Sequence, residues 1–515
     1  MRRPLVIAAL LAAGLVAPPL ASADDIRVQS TTDTVDAGLV DGMLRAAYAE
    51  AQPGDTLSYT AVGTGKALDN ARAGLADVVI THAPSLEAKF VADGYSMGLG
   101  RQIFYSDYVI VGPTSDPAGV STKHLHDAVG AFEDIAAAGT ANANAVRFNS
   151  RGDNSGTNVQ EQIIWGLTTS VAKRVAVNAA GDATRFEPAA SPSGFPAWYL
   201  KTNTGQAANV NQTQACAAAG NGCYTMVDRG TFNRLANAGT IPNLKIVSSN
   251  NTADVRGGEN LLINPFSAYV VNPAKFPSGP TPNVAAATRF VDFLVSAKFQ
   301  SAVAGFPTSV DPAFRPDAFP RLTLRSPLPA KAKPGSRLSV AGNAVNRLPG
   351  AGAIDGLRLR LQRSSDGGKT WKTVDGATSD KDGDFSLRAG IRRSGRYRIV
   401  TSEFPASAYN QFTASKLSLG RVSTRKPKVS KIRLTTRTVA LNVSEAARVK
   451  IQIQTPLFGG ANRYRTLSTI TKRTSKATTL HGLHRSIGAG TYRVRVTATD
   501  GAGNRRIVGK VFQRR

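Results

Sequence analysis

Three short stretches in the first third of the chain place hydroxyl groups, glycines and one guanidinium where a strand gives way to a helix. They are Ser30-Thr31-Thr32-Asp33-Thr34, Val62-Gly63-Thr64-Gly65 and Ser150-Arg151-Gly152-Asp153-Asn154-Ser155-Gly156-Thr157. At such a junction the first backbone N–H groups of the helix lack an intrahelical acceptor, and the helix dipole presents its positive end. Glycine lets a ligand approach the backbone closely, and Ser or Thr hydroxyls add donors. One such loop is an ordinary helix cap, whereas three in one unit form a donor set suited to a small anion. Arg151 is the one full positive charge in the three loops, and its planar fork can engage two oxygens at once, which suits a tetrahedral oxyanion. Asp153, two residues on, is placed to orient it.

Other reactive residue types point to structure instead. No P-loop or H-E-x-x-H occurs, so an enzyme is not expected, and neither a metal site nor a cofactor is. His124 and His126 lie two apart on a loop with no third ligand and read as a solvated pair. His82, in Thr-His-Ala-Pro-Ser, reads as a structural histidine bonded to backbone, and Asp228-Arg229 as an ion pair between lobes. The run from Ser364 to Trp371 matches S-x-D-x-G-x-T-W, which in a single copy is a hairpin turn with a buried Trp. Cys216 and Cys223 flank a small flexible loop; in an exported chain they are expected to close a local disulfide, with two free thiols as the alternative.

The elements that must position the three loops alternate. Strand IRVQS precedes helix AGLVDGMLRAAYAEA, TLSYTAVG precedes GKALDNARAGLA, and ADVVITHA precedes LEAKFVADG, which argues an α/β fold with mainly parallel sheets. Two proline-bounded apolar strands, Asp107 to Pro113 and Asn264 to Pro273, suit paired crossings between two lobes, and one helix, ATRFVDFLVSAKFQSAVAGF, closes the unit. After a proline-rich boundary near 325, short alternating strands separated by Gly, Asp and Ser turns predict two β-sandwiches, 326–423 and 424–515.

Charge divides the chain at the same place. Residues 24–325 carry a net charge of −3 and residues 326–515 a net charge of +29, so the two regions are expected to meet different partners. Arg and Lys alternate with apolar residues along strands, at Arg358 and Arg360, at Arg393, Arg396 and Arg398, and at Arg493 and Arg495, which puts cations on one solvent face of each sheet. Such faces suit an anionic cell-wall polymer or lipid surface, and sparse stacking aromatics argue against a specific nucleic-acid partner. Residues 1–23 have a basic start, an apolar run and an Ala21-Ser22-Ala23 ending, the pattern of a secretory signal peptide. The remainder is expected to be exported, extracellular or periplasmic, and soluble or held peripherally at the envelope.

The ordered runs VGTGKAL, ADVVITHAPSLEAKFVADGY, YSDYVIVGP, SRGDNSGT, YTMVDRGTF and NPFSAYVVNP resemble the tungstate-binding proteins of bacterial ABC importers, members of the type II periplasmic binding protein superfamily. The resemblance covers about residues 25–310, and the basic region resembles immunoglobulin-like modules of secreted bacterial proteins. It implies two α/β lobes that close on an oxyanion, tungstate or molybdate, and pass it to an ABC permease. Thr31, Thr32, Gly63, Thr64, Ser150, Arg151, Ser155, Gly156 and Thr157 occupy positions that line the family's anion site. Asp33 departs from the family's run of hydroxyls: an ionised carboxylate accepts only, and beside a dianion it repels. Facing the site, Asp33 would act as a sensor of ligand protonation and favour hydrogen phosphate, as in the related phosphate-binding proteins; facing away, it is a turn residue. A wall-associated interaction protein that retains the binding fold without transport is the other reading.

Overall fold

The computed structural model describes residues 24–176, 185–191, 193–308, 312–457, 463–474, 477–483 and 486–514; the expected signal peptide lies outside them. The chain divides into two compact units, the first extending to Ala318 and including Leu348–Gly350 and Pro405–Gln411, the second beginning at Phe319. The division precedes the expected boundary near 325 because Arg321–Leu324 is a strand, pairing antiparallel with Arg337–Val345 of the second unit.

The first unit is α/β. Strands β1 (Asp25–Thr31), β2 (Thr56–Val62) and β3 (Val78–Thr81) are parallel, in the order β2-β1-β3. Helices cover both faces, so Ile26, Val28, Val78, Val79 and Ile80 are all buried rather than alternating. Helix α1 (Thr32–Asp36) leaves β1, α2 (Thr64–Arg72) leaves β2, and α3 (Pro84–Ala92) follows β3. Ala67, Leu68 and Ala71 form the stripe that seats α2 on the sheet, against Val79, Phe90 and Tyr269.

Strand β4 runs from Gly100 to Pro113, longer than the crossing expected from Asp107, because the preceding residues also pair. Its first half pairs with β7 (Ile263–Val270) and its second half with β6 (Gly222–Asp228), so one strand crosses from one lobe to the other. In the second lobe β5 (Val146–Ser150) lies parallel to β6 and to Tyr199–Lys201. Helices α4 (Gly156–Leu167), α5 (Gln206–Ala218) and α6 (Arg229–Asn237) surround it. Phe132, Phe148, Trp165, Trp198 and Tyr199 fill this lobe's core. The expected single closing helix is two, Val284–Leu294 and Ala297–Val303. Ser296 breaks it by capping the second: its hydroxyl accepts the Phe299 N–H at 3.2 Å. Cys216 and Cys223 are joined in a disulfide that ties α5 to β6.

The second unit is all-β. A three-stranded sheet (Arg321–Leu324, Arg337–Val345, Asp384–Gly390) accompanies a four-stranded one made of β8 (Arg358–Ser364), β9 (Lys372–Thr378), β10 (Gly395–Thr401) and β11 (Lys416–Val422). The pattern recurs with Val429–Leu434, Thr438–Val443 and Ala477–Gly482 beside β12 (Ala447–Pro456), β13 (Tyr464–Thr474), β14 (Gly490–Asp500) and β15 (Arg505–Arg514). Ile432, Val439 and Leu441 of one sheet pack with Val449, Ile451 and Val494 of the other in a single core, the signature of a sandwich. The S-x-D-x-G-x-T-W run is a turn pinned by Asp366, which accepts from Ser364 and Thr370; Arg398 covers the Trp371 ring at 4.1 Å.

Candidate functional site

The three loops converge where β1, β2 and β5 end. Gly63 caps α2 and Ser155 caps α4, the Ser155 hydroxyl accepting the Asn158 N–H at 3.2 Å. The two helix starts face each other across the lobes. A Cβ on Gly63 would lie 3.3 Å from Ser155 Cα, and the Gly65 N–H donates to the Asn154 carbonyl at 3.3 Å. A Cβ on Gly156 would lie 2.2 Å from the His82 ring, so glycine is required there by close approach.

Arg151 is buried at the centre, with 2% of its surface exposed. Its Nη1 donates to Gln206 Oε1 at 2.9 Å and to Thr32 Oγ1 at 3.3 Å, and its Nη2 donates to Asp153 Oδ2 at 2.7 Å. Thr157 Oγ1 donates to the same Gln206 oxygen at 2.9 Å, which leaves the amide nitrogen directed elsewhere. Thr31 Oγ1, Thr64 Oγ1, Arg151 Nε and Gln206 Nε2 are buried without a hydrogen-bond partner. Orphaned buried polar atoms are costly unless a ligand meets them; these four are hydroxyls and N–H groups around a guanidinium, the chemistry of an anion cradle, while Asp33 Oδ1 and His82 Nε2 beside them are also without a hydrogen-bond partner.

Ser150 lies behind this cradle. Its hydroxyl donates to Glu161 Oε2 at 2.8 Å and accepts from Tyr199 at 3.0 Å and Asn158 at 3.2 Å. Glu161 also accepts from Trp165 and Tyr199, yet burial pushes its carboxyl up to about 7. Arg185, a second fully buried guanidinium, donates from Nη1 to Asn154 Oδ1 at 3.0 Å on the third loop.

Asp33 is completely buried and faces the cluster, not solvent. Its Oδ1 is 3.7 Å from Arg151 Nη1, and its Oδ2 is 3.3 Å from both His82 Nε2 and Asn264 Nδ2. His82 is therefore bonded to side chains rather than backbone: its Nδ1 lies 3.0 Å from the Tyr108 hydroxyl, which donates to Asn264 Oδ1 at 2.9 Å. Burial outweighs the nearby Asp33 charge and holds the His82 pKa below its ordinary value. Asn264 also donates to Ser106 at 3.0 Å and to Asp228 at 3.4 Å. Burial, reinforced by Asp33, keeps Asp228 protonated well above the usual carboxylate range. Asp228 caps α6 by accepting the Gly230 N–H at 2.9 Å, and Arg229 pairs with Asp107, its Nε donating to Oδ2 at 2.8 Å. The expected ion pair is thus made with the crossing strand and not with the neighbouring residue.

His124 lies 3.2 Å from Asp127, and His126 bonds the Ser249 carbonyl at 2.8 Å. The sequence reading missed Gln206, Asn264 and Arg185. A lone Gln or Asn carries no spacing signal, and each acts through residues more than 30 positions away.

The first unit is similar to known proteins. The PBP superfamily domain matches residues 17–298, more than half of the chain. This chain belongs to the PBP superfamily. A Haloferax volcanii protein described as an ABC transporter anion-binding protein is 33% identical over 58% of this chain and 73% of its own length. The tungstate-binding protein TupA of Peptoclostridium acidaminophilum is 29% identical over 54% of this chain and 80% of its own length. The solved TupA structure from Desulfovibrio alaskensis G20 is 31% identical, covers 57% of this chain and 99% of its own, and superposes with a TM-score of 0.40. The family assignment rests on the sequence matches. Among the described residues no helix is long and apolar enough to cross a membrane.

Proposed function

We propose that the first unit is the substrate-binding component of an ABC importer and captures a tetrahedral oxyanion, tungstate or molybdate, between its lobes. The observation that carries this reading is the set of four buried unpartnered donors, on Thr31, Thr64, Arg151 and Gln206, gathered at facing helix starts around one guanidinium. Thr32, Ser155 and Thr157 complete the cradle, Gly63 and Gly156 admit the ligand to the backbone, and Ser150 acts by fixing the strand end that carries Arg151. The relatives' names support the same ligand class, since they are called anion-binding and tungstate-binding. No chemistry on the ligand is part of this function, and its transfer partner is a permease.

Hydrogen phosphate is the second reading, favoured by one specific observation. A fully buried Asp33 carboxylate 3.7 Å from Arg151 offers an acceptor that a protonated anion satisfies and a dianion does not. The second unit serves to retain the exported protein at the envelope through its positive charge. Calorimetric titration of the mature protein with tungstate, molybdate, sulfate and phosphate tests the proposal. Tungstate or molybdate binding with sulfate excluded supports it, phosphate-selective binding moves it to the second reading, and no heat with any of the four leaves a retained fold without transport.

A further inference from the structure

The two sandwiches repeat one outward pattern at matched register. In the first, β8 turns Arg358, Arg360 and Gln362 outward while Leu359 and Leu361 are buried. In the second, β12 turns Arg448, Lys450 and Gln452 outward while Val449 and Ile451 are buried. The neighbouring strand supplies Arg396 and Arg398 in one case and Arg493 and Arg495 in the other. Gln362 stands opposite Arg398, and Gln452 opposite Arg495. Each amide holds its guanidinium: Arg398 Nε donates to Gln362 Oε1 at 2.8 Å, and Arg495 Nη1 to Gln452 Oε1 at 3.4 Å.

Both faces also break the ordinary rule of cross-strand pairing. Positions directly opposite each other favour opposite charges, and like charges there are destabilising. Arg396 nevertheless stands opposite Arg421, and Arg448 opposite Arg473. A glutamine in place of a carboxylate fixes an arginine without cancelling its charge. Residues 446–515 contain fifteen Lys and Arg and one acid, Asp500, which is engaged with Asn504 and Lys331. Arg448, Lys450, Arg473, Arg493, Arg495 and Arg505 make no ion pair among the described residues, whereas Arg27, Arg151, Arg229 and Arg289 of the first unit do. Interspersed charges would serve solubility, so a repeated cationic face without counter-charge marks a site for a partner.

We propose that these two sheet faces bind a linear phosphodiester polymer of the cell envelope. The proposal rests on the envelope-retention reading and names its partner. Cations recur about 6.8 Å apart along each strand and stand directly across strands at Arg396 and Arg421 and at Arg448 and Arg473, an array that matches charges repeated along a chain. Arginine predominates, and its fork matches the tetrahedral phosphate oxygens in a way a point charge does not. Thr497 and Thr499, outward on β14, add hydroxyl donors. The outward residues Arg448, Lys450 and Gln452 of β12 and Arg493, Arg495, Thr497 and Thr499 of β14 are polar, and exposed apolar residues stand beside them on β15, where Ile507 is opposite Thr497 and Val511 opposite Arg493. The ring near each face is covered, Trp371 by Arg398 at 4.1 Å and Tyr464 by Arg493 at 4.8 Å, which leaves no platform for stacking a base. Two copies of the face allow one polymer to engage both, with the gain that linkage brings.

The test uses the full mature chain on immobilised poly(glycerol phosphate), with polygalacturonate and phosphatidylglycerol vesicles as the other probes and thermal unfolding as the check on fold. Four substitutions to glutamine neutralise either face: R358Q, R360Q, R396Q and R398Q, or R448Q, K450Q, R493Q and R495Q. The wild type should bind poly(glycerol phosphate) at low salt and release it as salt rises. Each variant should bind roughly tenfold more weakly at unchanged melting temperature, and the two combined should not bind. Unaltered binding by the variants, equal binding to polygalacturonate, or capture of vesicles without the free polymer overturns the proposal. Retention on isolated envelopes separates the two readings: retention that persists in the combined variant removes only the assigned faces, and no retention of the wild type removes envelope attachment itself.

Discussion

Removing Arg151 should damage two properties that a second substitution separates. Arg151 donates to Asp153 at 2.7 Å, stands 3.7 Å from Asp33, and is 2% exposed. In Arg151→Gln both carboxylates lose their cation inside the protein, and breaking one partner out of a buried pair costs about 3–5 kcal/mol. At about 2–4 °C per kcal/mol, the first unit's melting temperature should fall by roughly 10 °C. In Arg151→Gln with Asp153→Asn the closer carboxylate also goes, and part of that loss should be recovered, the remainder resting on the fully buried Asp33. Ligand affinity should not recover. Charge-assisted bonds contribute about 1.5–3 kcal/mol each, so losing two of them weakens binding at least about a hundredfold. Differential scanning calorimetry reads the first quantity and isothermal titration with tungstate the second. A double variant that binds within threefold of the wild type, or a single variant that melts unchanged, refutes the placement of Arg151 as both the anion's cation and the carboxylates' counter-charge.

Asp33→Asn keeps the contacts to His82 and Asn264 but removes the carboxylate; affinity for tungstate should rise about tenfold or more while phosphate binding weakens, and equal shifts for both would show that Asp33 does not discriminate. Gly156→Ala places a methyl 2.2 Å from the His82 ring, an overpacking cost of about 1–3 kcal/mol in the closed form, so binding should weaken; pairing it with His82→Ala should relieve the clash, measured as recovered stability of the closed form by hydrogen exchange. The pKa of Glu161 is raised by burial to about 7 from 4.5. Between those values the folded protein keeps a proton that the unfolded chain releases, so its contribution is complete below about pH 4.5 and declines by about 3 kcal/mol as pH rises through 7. Glu161→Gln should flatten that decline in melting temperature, with Glu87, also raised to about 7, left as the remaining contributor; an unchanged slope would count against the assignment.

The sequence by itself determined what depends on neighbours along the chain. The alternation of short apolar strands with helical stretches marked β1, β2 and β3, and the Gly63 and Ser155 caps were readable because a cap is made by residues within four positions of it. The change from helical to strand periodicity near 325, and the shift of net charge with it, likewise need no tertiary contact to be seen. The spacing of Cys216 and Cys223 announced a local link for the same reason. Only the tertiary structure decided which groups compensate Arg151. Gln206 reaches it from 55 positions away, Asp33 from the other lobe, and Ser150 is drawn behind the cradle by Glu161 and Tyr199. It also decided that Asp33 faces His82, that Arg229 answers Asp107 rather than Asp228, and that Gln362 and Gln452 stand opposite Arg398 and Arg495. The physical reason is that a polar side chain's partner follows from strand register and lobe closure. The chain's apolar pattern specifies which face of each element is buried, and which distant polar groups then share that burial emerges only when the elements pack.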